Sequence, residues 1–347
     1  MNGLYKYLQA LVVLVLVTTL LGLSSCDKNS VETNTTDTQA AIGFSNITTK
    51  ATITDLQAKG FGVWAFVNTM PDDDPFMNNI RVTYDEDLDN WGYEPVKYWI
   101  DESVFTFVAT YPHSDSFKSG DYSLDSENAD VKVNIADTPA KEDVLIATKE
   151  IDTSSDGFNA TKSVDLEFRH ILTSVGLKIW RDGAKHQNDQ MRIKQVTLSN
   201  IHKSGTYSAN TAIWALGNDK LSVQKVIDDA DLSDTDNIGA ALKDSNGKLQ
   251  TGGEAGDPFG VMMLIPQTLD PSNMVSLEIQ YQLKRNNATE WENAELEALL
   301  PSGTWEPNKR YTYNVVLSSV KNITIYYIQT KVDPWGTPQV GGTVIIK

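Results

Sequence analysis

From Ile42 onward the sequence consists of short stretches in which β-branched and aromatic residues alternate with polar ones. Clusters of Gly, Asn, Asp, Pro and Ser separate these stretches. Such segments predict β-strands bounded by turns. The predicted strands are residues 61–67, 103–111, 130–135, 143–149, 175–180, 193–201, 261–267, 275–283, 311–320 and 323–332. Strands at this spacing predict an all-β sandwich rather than alternating β–α–β units.

Helical periodicity is scarce in this sequence. Residues 236–245 and 293–300 are the two segments that we interpret as short helices. The chain has 347 residues, which exceeds the size that one hydrophobic core usually supports, so two domains are expected. The segment DGFNATKS separates two groups of predicted strands, and we therefore predict domains at residues 42–162 and 163–347.

The chain contains one cysteine, Cys26, so it cannot form an intramolecular disulfide and its fold must rest on packed cores. Cys26 follows a positively charged start at Lys6, an apolar stretch at residues 8–21, and the small residues Leu-Ser-Ser. The apolar stretch is shorter than the roughly 20 residues that a membrane-spanning helix needs. This order is typical of a secretion signal.

The tetrad Leu-Ser-Ser-Cys resembles the bacterial lipobox, in which the cysteine becomes the acylated first residue of the mature protein. The resemblance implies a lipoprotein signal peptide at residues 1–25 and a lipid anchor on Cys26 that holds the protein in the outer membrane. Residues 26–41 are polar and without periodicity, which predicts a flexible tether. The alternative is an ordinary signal peptide with an incidental cysteine.

The sequence is acidic. Its formal net charge of −17 becomes −18 when the signal peptide is removed with Lys6. A surface of this charge argues against nucleic acid as a partner, because phosphates would be repelled.

No catalytic motif is recognisable. The four histidines form no metal-binding helix motif, and the sequence has neither a nucleophile elbow nor a phosphate-binding loop. We therefore expect no enzyme activity and no cofactor. Alternation places Leu166, Phe168 and His170 on one face of a strand, which predicts a hydrogen-bonded structural histidine rather than a ligand.

Two acidic segments, residues 85–90 and 228–237, space their aspartates as a calcium loop does. The twelfth position of such a loop needs a bidentate glutamate, but Val96 and Ala240 stand there. We therefore predict solvated acidic loops and no metal site.

Several blocks, taken in order, resemble the fimbrillins of Bacteroidetes type V pili. They are WGYEPVKYWIDESVFTFVATYP (91–112), EDVLIATKE (142–150), LEFRHILTSVGLKI (166–179), MLIPQTL (263–269), WEPNKRYTYNVVL (305–317) and VDPWG (332–336). The resemblance implies two tandem transthyretin-like sandwiches and a structural subunit, stalk or tip, of a cell-surface fimbrium. It also implies other pilus subunits as partners and leaves room for a host or bacterial surface receptor.

The aromatic block at residues 91–99 has two interpretations. Trp91, Tyr98 and Trp99 could close one end of a sandwich, or they could form a sugar-stacking platform. The second interpretation supports an alternative function, a monomeric surface lipoprotein that binds glycan or a host ligand. Trp305 and Tyr311 are expected to be core residues at the turn before a strand.

The family's assembly scheme implies further sites. A protease cuts after a basic residue near the N-terminus, the first strand is lost, and another subunit's C-terminal strand enters the groove. Lys50 and Ala51 stand where the family commonly has Arg-Ala. This difference argues against cleavage by an Arg-specific protease. Val344, Ile345 and Ile346 are the candidate donor residues, and the alternative is that they complete the subunit's own sheet.

Overall fold

The computed structural model describes residues 39–49, 53–71, 74–113, 122–124, 129–135, 143–181, 190–227, 261–285, 287–318 and 322–331. These residues form twenty-one strands and one helix, α1 (Ile53–Lys59), so the all-β class is confirmed. The strands are β1 (Phe44–Thr49), β2 (Phe61–Val67), β3 (Met77–Asp85), β4 (Asn90–Gly92), β5 (Val104–Tyr111), β6 (Tyr122–Leu124), β7 (Ala129–Asn134), β8 (Leu145–Asp152), β9 (Val164–His170), β10 (Thr173–Arg181), β11 (Gln190–His202), β12 (Ser204–Ser208), β13 (Ile213–Leu216), β14 (Lys220–Val226), β15 (Val261–Leu264), β16 (Thr268–Leu269), β17 (Ser276–Lys284), β18 (Glu292–Leu299), β19 (Gly303–Thr304), β20 (Lys309–Ser318) and β21 (Asn322–Lys331).

The first part of the chain closes into a seven-stranded barrel in the order β1-β4-β3-β2-β5-β8-β9. Neighbouring strands are antiparallel except β1 and β9, which run parallel and close the barrel. The sequence predicted a β-sandwich domain at residues 42–162. The pairing of β1 with β9 makes the difference, because it joins the two edges that a sandwich would leave apart.

The second part contains two four-stranded sheets, with orders β15-β10-β20-β21 and β14-β11-β17-β18. Strand β17 alternates buried and half-buried side chains along its whole length, as a strand with one face on a core does. The apolar faces of β10, β11, β17 and β20 contribute to one hydrophobic cluster. The finer assignment of two tandem transthyretin-like sandwiches stays a prediction.

A third sheet, β13-β12-β7-β6, joins segments from either side of the predicted domain boundary. Strand β7 pairs antiparallel with β12, so that Val131 lies opposite Tyr207. Both side chains are buried in the same cluster as the sheets of the second part. A further short pair, β16 and β19, completes the described strands.

The barrel strand β2 is buried along its entire length because both of its faces are covered. Phe61 and Val63 belong to the barrel's own hydrophobic cluster, whereas Trp64 and Phe66 pack into the cluster of the second part. A strand buried on both sides reads as a continuous apolar run, which the sequence FGVWAFV shows. The predicted division at residues 162 and 163 stays a prediction, and the two parts share apolar surface through β2.

Cutting the chain once within residues 158–162, the exposed connection before β9, is expected to leave the two fragments associated. Trp64 and Phe66 would be exposed to water if the fragments separated, at a cost of roughly 1.5–3 kcal/mol for each side chain. Size-exclusion chromatography of the nicked protein should show one peak at the intact mass, and two peaks only in denaturant. Two native fragments in buffer would show instead that the domains are independent.

All ten strands predicted from alternation are present, with ends shifted by a few residues. The helix predicted at residues 293–300 is wrong, because this segment is strand β18 paired with β17. Its exposures alternate with a period of two, which is the pattern of a strand. Helix α1 was not predicted. Residues 236–245 lie outside the described residues.

Helix α1 ends at a glycine that the backbone geometry requires. Gly60 adopts a left-handed conformation with φ of 71°, and its N–H donates to the Leu56 carbonyl at 2.8 Å. A Cβ atom at this position would lie 2.5 Å from the carbonyl oxygen of Val82. Glycine therefore caps the helix and lets the chain turn directly into β2.

Candidate functional site

Strand β1 occupies the position at which the barrel closes. Phe44 pairs with Trp91 of β4 on one side and with Val164 of β9 on the other. The segment just before it is also held on both sides. The Ile42 N–H donates to the Lys97 carbonyl at 2.9 Å, and the Val164 N–H donates to the Gly43 carbonyl at 2.8 Å. We call the site that β1 and residues 40–43 fill the β1 groove.

Three apolar side chains point from this segment into the barrel. Ile42 is 2% exposed, Phe44 4% and Ile47 9%. All three belong to the barrel's hydrophobic cluster. The groove would therefore expose apolar surface if this segment left it.

Phe44 lies in an aromatic pocket. Its ring centroid is 5.5 Å from that of Tyr93, 6.1 Å from Phe107 and 6.2 Å from Phe61. The rings meet edge to face, with interplanar angles of 64°, 89° and 88° respectively. Edge-to-face pairs at these distances add attraction beyond the burial of apolar area.

The register between β1 and β9 contains a β-bulge. Ser45 lies opposite Asp165 and Thr48 opposite Glu167, so β1 has one more residue than β9 over this interval. The extra residue changes the spacing of the buried side chains. Phe44 and Ile47 lie three residues apart, whereas a regular strand places residues of one face two apart.

Tyr93 ties the aromatic pocket to the backbone of the occupying segment. Its hydroxyl donates to the Ile42 carbonyl at 2.8 Å and lies 3.4 Å from the Lys97 carbonyl. Burial raises the pKa of the Tyr93 hydroxyl above its usual value, and the hydrogen bond that the Lys97 backbone N–H donates to the hydroxyl oxygen, at 3.3 Å, opposes that rise. The hydroxyl therefore stays a donor at neutral pH.

The aromatic block at residues 91–99 mainly closes the barrel. Trp99 is buried against Phe105, with their ring centroids 5.0 Å apart, and Trp91 packs on Phe61, with ring centroids 5.1 Å apart. Tyr98 is 48% exposed and pairs with Ala41 through its backbone. The block contains four aromatic residues, Trp91, Tyr93, Tyr98 and Trp99, and only Tyr98 is exposed. This favours the packing interpretation over a sugar-stacking platform.

The predicted structural residues lie where the sequence placed them. Leu166, Phe168 and His170 are buried along one face of β9, and the His170 Nδ1 contacts the Asp143 carboxylate. His170 is therefore a hydrogen-bonded core histidine. Trp305 and Tyr311 are also buried, and Trp305 Nε1 donates to the Tyr313 hydroxyl at 2.8 Å.

The acidic segment at residues 85–90 forms the turn between β3 and β4. The Asp85 carboxylate accepts hydrogen bonds from the backbone N–H groups of Asp87 and Leu88, at 3.0 and 3.1 Å. The Tyr84 hydroxyl donates to the Asp89 carboxylate. The Asp85 and Asp89 carboxylates thus stabilise the turn through these hydrogen bonds. The second acidic segment, residues 228–237, lies outside the described residues.

Among the residues that the structure describes, no group of His, Cys, Asp and Glu side chains is arranged to hold a metal ion. Over the same residues, no helix has the length and apolar character needed to cross a membrane.

The residues predicted as sites fall outside the described part of the chain. These are the lipidation candidate Cys26, the processing candidates Lys50 and Ala51, and the donor candidates Val344, Ile345 and Ile346. The description of β1 ends at Thr49, immediately before Lys50. The groove-filling residues Ile42, Phe44 and Ile47 were not predicted, because the bulge hides their alternation.

The sequence model of the fimbrillin-like family matches residues 49–335. No curated protein matches the chain. A fimbrial protein from Bacteroides vulgatus is similar in structure, with a TM-score of 0.59 and 17% identity over 84% of this chain and 99% of that one. A protein described as a cell adhesion protein from Bacteroides uniformis has a TM-score of 0.49 and 15% identity, covering 84% and 98% respectively.

Proposed function

The chain belongs to the fimbrillin-like family, and on this premise we propose that it is a structural subunit of a cell-surface pilus. It is exported as a precursor, held in the outer membrane by lipid on Cys26, and assembled by strand exchange after proteolysis. Its partners are other pilus subunits. The similarity to a fimbrial protein supports the fold on which this proposal depends.

The observation that carries the proposal is the place of β1 in both sequence and structure. It ends directly before the pair Lys50-Ala51, and it fills a groove between β4 and β9. A cut after Lys50 would detach β1 from the body of the protein without breaking any other described strand. Because a strand-shaped groove with unpaired backbone groups would remain, the cut converts a closed subunit into an acceptor.

The detached strand does not leave without a replacement. Each of Ile42, Phe44 and Ile47 contributes roughly 1.5–3 kcal/mol through burial, and the strand pairs on both sides add backbone hydrogen bonds. An incoming strand restores both contributions. The free-energy change for exchanging β1 for another strand is therefore close to zero, whereas leaving the groove empty is unfavourable.

The donor segment of this chain is the C-terminal sequence GGTVIIK, with Val344, Ile345 and Ile346 as its apolar residues. In a stalk subunit it enters a neighbour's groove, and in a tip subunit it completes its own sheet. Both arrangements use β-strand addition.

Substituting Lys50 with glutamine is expected to keep the protein out of the fibre. Without a basic residue at this position, a trypsin-like protease has no side chain to recognise, so β1 stays in its groove. Cell-surface extracts from the native bacterium, run on a denaturing gel without boiling, should show a high-mass ladder for the wild type. The variant should run as a single precursor band.

Lys59→Gln is the matched control, because Lys59 is an exposed lysine at the end of α1, just beyond the proposed cut. It should assemble like the wild type. A Lys50→Gln ladder equal to that of the wild type would contradict processing at this position. A single band for the wild type in cells that make pili would contradict the structural role itself.

A further inference from the structure

We propose that the β1 groove accepts a donor strand in which an aromatic residue has an aliphatic residue two positions before it and another two positions after it. We further propose that this donor belongs to a different subunit from this chain. The inference rests on the proposed function, since it concerns the partner that replaces β1. It follows from the shape of the groove and from the residues that the chain's own C-terminus offers.

The central subsite of the groove is aromatic in size and in lining. Phe44 fills it, and the rings of Phe61, Tyr93 and Phe107 surround it edge to face at 5.5–6.2 Å. Phe44 is only 4% exposed, so its ring takes up the space between these neighbours. A smaller side chain would leave a void and would lose the edge-to-face contacts.

The flanking subsites are aliphatic, and the bulge sets their spacing. Ile42 stands two residues before Phe44. Ile47 stands three residues after it, in the bulged interval that lies opposite Leu166 of β9. A regular donor strand running in the same direction as β1 would reach the Ile47 subsite one residue earlier. The fitting pattern is therefore aliphatic, any residue, aromatic, any residue, aliphatic.

The chain's own candidate donor does not carry this pattern. If GGTVIIK entered the groove as a strand, Gly342, Val344 and Ile346 would share one face, and Thr343, Ile345 and Lys347 would share the other. Neither face contains an aromatic residue, so Phe44's subsite receives no ring in any register. Through this segment, a second copy of this chain is thus a poor donor for this groove, and a subunit with an aromatic residue at that place is a better one.

Strand displacement from the nicked protein tests this. A site for a specific protease is inserted between Lys50 and Ala51 of the Cys26→Ala chain. After cutting, the fragment that carries β1 stays bound in the groove. Four peptides then compete for the groove: residues 39–49, the same peptide with Phe44→Ile, residues 337–347, and that peptide with Val344→Phe. Release of a fluorescent label on the fragment reports displacement.

We expect the Phe44→Ile peptide to compete about tenfold less well than the peptide of residues 39–49, because the ring is lost from a filled pocket. Val344→Phe should improve the C-terminal peptide by a similar factor. Equal competition within both pairs would overturn the specificity while leaving strand exchange intact. No displacement by any peptide, including the native one, would overturn strand exchange in this groove and the specificity with it.

Discussion

Cys26→Ala is expected to move the protein from the membrane fraction to the soluble fraction. The thiol of Cys26 is the attachment point for the proposed lipid, and no other cysteine can replace it. Each buried methylene of an acyl chain contributes about 0.8 kcal/mol to membrane binding. No other attraction to the membrane replaces the lost acyl chains, because the chain without residues 1–25 carries a formal net charge of −18 and anionic lipid would repel it.

The measurement is the distribution of the protein between pellet and supernatant after ultracentrifugation of lysed cells. Ser30→Ala, four residues further along the predicted tether, is the matched control and should stay in the pellet. Equal membrane partition of Cys26→Ala and the parent would refute lipid attachment at this residue. Metabolic labelling with a fatty acid should mark the parent and the control but not Cys26→Ala.

Phe44→Ala is expected to lower the free energy of unfolding of the precursor by about 3–5 kcal/mol. The substitution removes a ring that is 4% exposed and that contacts three other aromatic rings. Urea denaturation of the uncut protein, followed by tryptophan fluorescence, measures the change. Trp91 of β4 pairs with Phe44 of β1, so one of the eight tryptophans of the chain lies at this end of the barrel.

Tyr98→Ala is the matched aromatic control, because Tyr98 is 48% exposed and its pairing with Ala41 uses the backbone. A surface change of this kind is expected to stay within about 0.5 kcal/mol of the parent. If Phe44→Ala were equally mild, β1 would not be packed in the groove in solution. After another strand has displaced β1 from the groove, the Phe44 substitution should have no effect at all.

Much of the strand content could be predicted because period-two alternation and short apolar runs are both local properties of a sequence. FGVWAFV becomes β2 with the same bounds, 61–67, since a strand with both faces covered needs an unbroken apolar run. Residues 293–300 show the limit of local patterns. Their sequence suits a helix, but pairing with β17 along the whole strand overrides that preference.

The closure of the barrel could not be predicted, because it depends on segments far apart in sequence. Phe44 pairs with Val164, and no local feature of either segment indicates the other. The bulge between Ser45 and Thr48 further disguises β1 by breaking its alternation. His170 and Trp305 were predictable as core residues, since each lies in a strand or at a turn whose apolar neighbours mark the buried side.

The parallel pairing of β1 with β9 has a consequence for the timing of folding. Strands β2 to β8 stand between β1 and its parallel partner β9 in the sequence. Contacts between such distant segments form late, because the intervening chain must first be ordered. Strand β1 can pair with β4 earlier, because fewer residues separate these two strands, and the β1–β9 pairing that closes the barrel is expected to be among the last steps in the folding of the first half.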